Sequence, residues 1–252
     1  MFNFVLKKVV SCVVAVAFLL IVTTAPRAHA ADTKKETWPD THVVKKVEGW
    51  SCIVDKRLLD TGSEKELGED VFRILANQLY KITKVLPADR VADLKKVRIW
   101  VDVDHRLTSL QYHPGTDWLR RMKYDLRLVK CVHLPQAKRL VGLYKSNVQP
   151  YVMLHELAHA YHDQFLSFND KRVVAAWQGL VKSKKLEKVI FIKGGRTRHY
   201  ALTNHKEFFA EMTEAFVGTN DFFPFVRGEL KELDPVTHDL LAEIWGFKKR
   251  RR

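Results

Sequence analysis

The chain has 252 residues, of which 46% are hydrophobic and 11% aromatic, and its formal net charge is +14. That is apolar matter enough for one domain with a real core, and neither an internal repeat nor a low-complexity linker splits it. Its three cysteines, Cys12, Cys52 and Cys131, form no CxxC pair, which argues against a cysteine-based zinc site.

Residues 1–30 read as a processing segment. Lys7 and Lys8 form a basic start, Val9 to Thr23 is apolar apart from Ser11 and Thr23, and Ala28-His29-Ala30 meets the small-x-small cleavage rule. Export is expected, with cleavage after Ala30 leaving a secreted or periplasmic protein; the alternative is an uncleaved N-terminal anchor. The mature chain then holds about 222 residues with a net charge near +11. Residues 31–48 are polar and read as a loose lead-in to a single domain over 49–247.

Ser51–Val54 is β-like. Ser63 with Glu66 makes a capping box, and Leu67, Val71, Ile74, Leu75, Gln78, Leu79 and Ile82 follow a 3.6 period, so a long amphipathic helix is expected up to Leu86-Pro87. Val97–Val103 alternates with period two and reads as a strand with one buried face. Tyr112–Trp118 reads as a turn, in which His113 and Asp117 form a polar cluster. Leu128–Leu134 reads as a second strand, followed by a helix starting near Pro150. Cys52 and Cys131 both fall in β-like segments of an exported chain, which predicts a disulfide between them; two buried free thiols are the alternative.

The helix after Pro150 carries His155-Glu156-Leu157-Ala158-His159. Positions i and i+4 share a helix face, so both imidazoles can point at one ion while Glu156 reaches a water bound to it. This is the HExxH arrangement of zinc peptidases, two His ligands and a Glu general base. A buried helix whose histidines bond to carbonyls is the plain alternative, but it leaves Glu156 buried and unpaired.

A catalytic zinc takes three protein ligands and leaves one position open. The HExxHxxGxxH pattern fails, because His162 stands at the Gly position and Phe165 at the last His. Farther on, Val173–Val181 reads as helix and Val189–Ile192 as extended. Arg196 and Arg198 follow in a Gly194-Gly195-Arg-Thr-Arg loop, where they are candidates to face the cleft. Asn204–Val217 reads as a helix with Glu207, Glu211 and Glu214 on one face, a row of carboxylates that calls for a positive counterpart. Asn204 with Glu207 is also a capping box, the plain alternative for Glu207. Pro235–Trp245 reads as a last helix, and Lys248–Arg252 as a basic tail.

HELAH, then Tyr200, then seven residues later the first Glu of an EFFAE segment resembles the C-terminal peptidase domain of anthrax lethal factor and its secreted relatives, which are gluzincins. The resemblance is strongest over about 149–163 and 200–216. It implies an α+β, zincin-like single domain, with a small mixed sheet, the HExxH helix and a following ligand-bearing helix. It implies one Zn2+ per chain held by His155, His159 and Glu207, with Glu156 as base and Tyr200 as a hydroxyl aimed at the developing oxyanion or leaving amine. Glu211 would accept a hydrogen bond from a ligand His, and Glu214 is expected to be solvated or paired with a lysine. In such enzymes an edge strand pairs with the substrate backbone, and 97–103 and 128–134 are the candidates.

The expected function is an exported zinc endopeptidase in which Glu156 takes the proton of a zinc-activated water. The rival is an exported zinc-binding protein with a structural site, which would need a fourth ligand from His162 or Glu211. Protein or peptide substrates are the expected partners of a monomer. The export signal overrides a nuclear reading of the basic tail, so nucleic acid is not expected; weak association with anionic surfaces is.

Overall fold

The computed structural model describes residues 37–247. The expected signal peptide over 1–30 and the basic tail over 248–252 lie outside the described residues. From Trp38 onward the described chain packs as one unit.

Strands β1 (His42–Val47) and β2 (Trp50–Asp55) form a hairpin turned at Glu48 and Gly49, whose φ angles are 49° and 90°. β1 lies in the stretch that reads as a polar lead-in. Its exposure explains the misreading: Val44, Lys45 and Lys46 face solvent on an edge strand, and lysines there discourage pairing with other chains. β1 pairs with β2 along its whole length, so the sheet includes residues ahead of Gly49.

Helix α1 (Lys65–Val85) buries Val71, Ile74, Leu75, Leu79 and Ile82, as its 3.6 period predicts. The Ser63–Glu66 capping box does not form; Glu64 is the cap residue and no side chain bonds to the first turn. Leu86 turns extended ahead of Pro87, whose ring crowds a helical predecessor. Helix α2 (Ala88–Leu94) then leads into β3 (Arg98–Val101).

The expected turn over 112–118 resolves into strand β4 (Gln111–Tyr112) and the start of helix α3 (Thr116–Arg121). β5 (Cys131–Leu134) is shorter than expected, because Leu126–Leu128 forms a 3-10 turn. The sheet order is β1-β2-β3-β5-β4, with the two inner pairs parallel and the two outer pairs antiparallel. Both strands expected as edges are therefore interior, and β4 is the edge on the side of the motif helix. β3 is also covered on both faces. Ile99 and Val101 join the main core, while Trp100 packs with Ile53, Leu119 and Leu128 behind the sheet.

The same two-sided packing overturns the disulfide. Cys52 and Cys131 are buried free thiols. Cys52 belongs to the main core and Cys131 to the cluster behind the sheet. They also sit on β2 and β5 with β3 between them. Two strand spacings, about 9–10 Å, exceed the roughly 7 Å that a disulfide spans. Burial pushes the Cys52 thiol up to about 12, so it is protonated and inert at neutral pH.

Helix α4 (Ala137–Ser146) intervenes between β5 and the motif helix, where none is expected. Helix α5 (Val152–Tyr161) carries the motif and runs into a π-helical turn at His162–Leu166. Asp170 caps helix α6 (Lys171–Ser183) through the Arg172 and Val173 N–H groups. The short strands β6 (Val189–Ile190) and β7 (Arg196–Thr197) pair antiparallel. Helices α7 (His205–Val217), α8 (Arg227–Leu233) and α9 (Pro235–Ile244) complete the described chain. Among the described residues no helix is long and apolar enough to cross a membrane.

Candidate metal centre

Helix α5 runs through the core. All of its ten residues except His159 are buried. Leu154, Leu157 and Ala158 pack among the sheet and helix side chains, which fixes the rotation of the helix about its axis. That rotation places His155 and His159, one turn apart, toward α7. Helix α7 is capped by Asn204, whose Oδ1 accepts from the N–H groups of Lys206 (2.8 Å) and Glu207 (3.0 Å). At its other end Gly218 meets the Tyr151 ring at the start of α5; a Cβ there would lie 2.8 Å from ring carbons. The cap orders the start of α7, and the Gly218–Tyr151 contact fixes its far end against the start of α5.

Three ligand atoms converge between them. His155 Nε2 and His159 Nε2 lie 3.1 Å apart, and Glu207 Oε2 lies 3.3 Å from the first and 3.2 Å from the second. Four ligands held tetrahedrally at about 2.0–2.1 Å from zinc are separated by about 3.3–3.4 Å. The triangle matches one face of that tetrahedron. Glu207 is therefore not merely a helix cap: Asn204 does the capping, and the Glu207 carboxylate turns to the two imidazoles. This is the active-site architecture of a zinc metallopeptidase of the gluzincin type, with one site for one Zn2+.

Compared with known proteins, the chain matches no family model, no curated protein and no solved structure.

The surroundings favour a cation. Burial alone would raise the Glu207 carboxyl, but its contacts with His155 and His159 outweigh burial and hold it well below the usual carboxylate range. Burial opposes charge on His155 too, and Glu207, Glu214 and Glu211 together overcome it. Behind His155, the expected hydrogen bond to Glu211 goes elsewhere. His155 Nδ1 lies 2.7 Å from Glu214 Oε1 and 3.5 Å from Glu211 Oε1. Glu214, expected to be solvated or lysine-paired, is fully buried and is the nearer acceptor. With its proton on Nδ1, His155 presents the Nε2 lone pair to the metal position. Burial pushes the Glu211 carboxyl up, and neighbouring Glu214 and Asp221 add to the push.

Glu156 faces the open side. Its Oε2 accepts from the Tyr112 N–H at 2.8 Å, which ties the motif helix to the edge strand β4. Burial raises its carboxyl above the ordinary value. The cleft in front of it, about 440 Å³, is lined by Leu110, Gln111 and Tyr112 of the edge-strand region and by His155, Glu156, His159, Tyr200, Lys206 and Glu207. Tyr200 sits on a 3-10 turn (Tyr200–Leu202) and is 47% exposed, so its hydroxyl is within reach of solvent and substrate.

Other candidates stand apart. His162 is buried among Phe168, His205 and Phe209, and burial takes its imidazole down to about 3. Arg196 reaches the Lys188 carbonyl, while Arg198 bonds to Glu187 and the Leu202 carbonyl; neither lines the cleft. His113 is buried, 3.1 Å from His133, and with Asp117 it lines a neighbouring hollow of about 600 Å³ that shares Gln111 and Pro114 with the cleft. The edge strand, Lys206 and the buried role of Glu214 are not read from the sequence. The last had a signal, since Glu214 repeats the helix face of Glu207 one turn beyond Glu211.

Proposed function

We propose that the protein is an exported zinc-dependent endopeptidase, similar in site layout to the secreted lethal-factor-like peptidases, that hydrolyses peptide bonds of protein or peptide substrates. The observation that carries this reading is that Glu156, the three ligand atoms and a free edge strand all line one open cleft. A closed structural site would need a fourth protein ligand, whereas the His155, His159 and Glu207 side chains line a cleft open to solvent.

In antiparallel β4, Gln111 and His113 turn their backbone groups to β5, so Tyr112 turns its own away from the sheet, its N–H to Glu156 and its carbonyl to the open edge. A substrate laid along that edge brings its carbonyl toward the metal position. Zinc, when bound there, supplies a Lewis acid and lowers the pKa of a coordinated water to about 7. Tyr112 N–H holds one oxygen of Glu156, and the carboxylate accepts the water's proton and returns it to the leaving nitrogen. Tyr200 donates its hydroxyl to the oxyanion or the leaving amine. Glu214 keeps His155 in the ligating tautomer, with Glu211 behind it.

Mature protein with zinc is expected to cut an unfolded protein at internal bonds and to lose that activity in chelator, read by mass spectrometry of the products. Intact substrate after prolonged incubation with zinc would sink the peptidase reading. Export is part of the proposal, and N-terminal sequencing of material recovered outside the cytoplasm is expected to begin at Ala31. A sequence beginning at Met1 would mean an anchor instead.

A further inference from the structure

Among the described residues, Lys206 is the only lysine or arginine lining the cleft. It is half-buried, and its Nζ lies 4.4 Å from the centre of the Phe168 ring, another lining residue. No carboxylate of the described residues forms an ion pair with it. Its position is also unfavourable for the helix: it is in the first turn of α7, where the macrodipole prefers an acid to a cation. The acidic groups of the cleft, Glu156 and Glu207, belong to the metal centre, and a divalent ion there balances their two charges. Lys206 then remains as the uncompensated charge of the binding surface.

We propose that Lys206, held over Phe168 on the cleft wall, binds a substrate carboxylate next to the scissile bond, so that the enzyme selects acidic peptides. This rests on the peptidase reading and adds the substrate class to it. The Phe168 ring carries the lysine stem and holds the ammonium by cation–π attraction, which leaves its N–H donors for the substrate. Leu110, Tyr112 and Pro114 supply apolar contact elsewhere in the cleft, so a peptide combining one acid with apolar neighbours suits it best. The carboxylate can be an Asp or Glu side chain or a peptide C-terminus; both present the same group.

The test reads binding and does not depend on turnover. Fluorescent peptides differing at one position (Glu, Gln or Lys) are titrated into zinc-loaded E156Q protein, with both ends blocked in one set and a free C-terminus in the other. The Glu peptide is expected to bind about tenfold tighter than the Gln peptide, and the gap to narrow as salt is raised. In E156Q/K206Q the ratio falls to about one, and in E156Q/K206E the Lys peptide becomes the favoured one. A preference confined to the free-ended set assigns the carboxylate to the chain terminus and keeps Lys206 as its receptor. Equal binding of Glu and Gln peptides, absence of binding, or a preference that survives K206Q overturns the proposal. Failure of the wild-type enzyme to cut anything would instead remove the peptidase reading and leave the binding ratios as they are.

Discussion

Glu156→Gln is expected to cut kcat/KM by about 10³-fold or more while zinc content stays near one per chain. The substitution preserves shape, and the amide oxygen still accepts from Tyr112 N–H, so helix α5 keeps its place. What disappears is basicity: an amide at that position takes no proton from water and returns none to the leaving nitrogen. Because His155, His159 and Glu207 are untouched, the metal is retained. Peptide cleavage assays beside elemental analysis of the same preparation separate the two effects. Turnover close to wild type would remove Glu156 from the chemistry, and loss of zinc would show that the variant had disturbed the helix.

The second large effect concerns the metal. Glu207→Ala is expected to weaken zinc binding by more than about 100-fold, beyond the 10- to 100-fold typical of removing a group that only orients a ligand. Glu214→Ala is expected to fall within that smaller range, since it deletes the acceptor 2.7 Å from His155 Nδ1 and frees the ring to change tautomer. Glu211→Ala is expected to do less than Glu214→Ala, its oxygen standing 3.5 Å from the same nitrogen. Competition with a zinc-binding dye ranks the three. If Glu211→Ala released zinc more readily than Glu207→Ala, the third ligand would lie one helical turn farther along α7.

The motif and its ligands were legible because their spacing is local. Two histidines four apart on one helix, and carboxylates in a row on another, carry their geometry in their numbering. Glu207 needed the resemblance to choose it, and the structure shows why that choice is physical: Asn204 takes over the cap, which frees the Glu207 side chain. Glu214 was misread because burial, unlike periodicity, depends on what packs over the face. Strand β1 was misread for the opposite reason, as an edge strand whose exposed lysines look like a linker. Cys52 and Cys131 show the limit most sharply. Both lie in strands, yet the pairing depends on strand order and on which face each side chain takes, and neither is written in the spacing between them. The edge strand is a matter of order too: only the placement of β4 outside β5 leaves its backbone at the cleft.

β4 is two residues long, and that brevity has a consequence for how the protein lives among its own copies. A peptidase that reads backbones must leave an edge unfinished, and any unfinished edge invites a neighbour's strand as readily as a substrate's. Here the invitation is narrow. Tyr112 faces outward between residues committed to β5, its N–H is engaged by Glu156, and Pro114, two positions on, has no N–H to offer. A second copy would gain little beyond the Tyr112 carbonyl as an acceptor, worth about 1 kcal/mol net, which is far too little to fasten two proteins together. Under the proposed function, a peptide held also by its side chains and by the metal needs no more than that to be set in register.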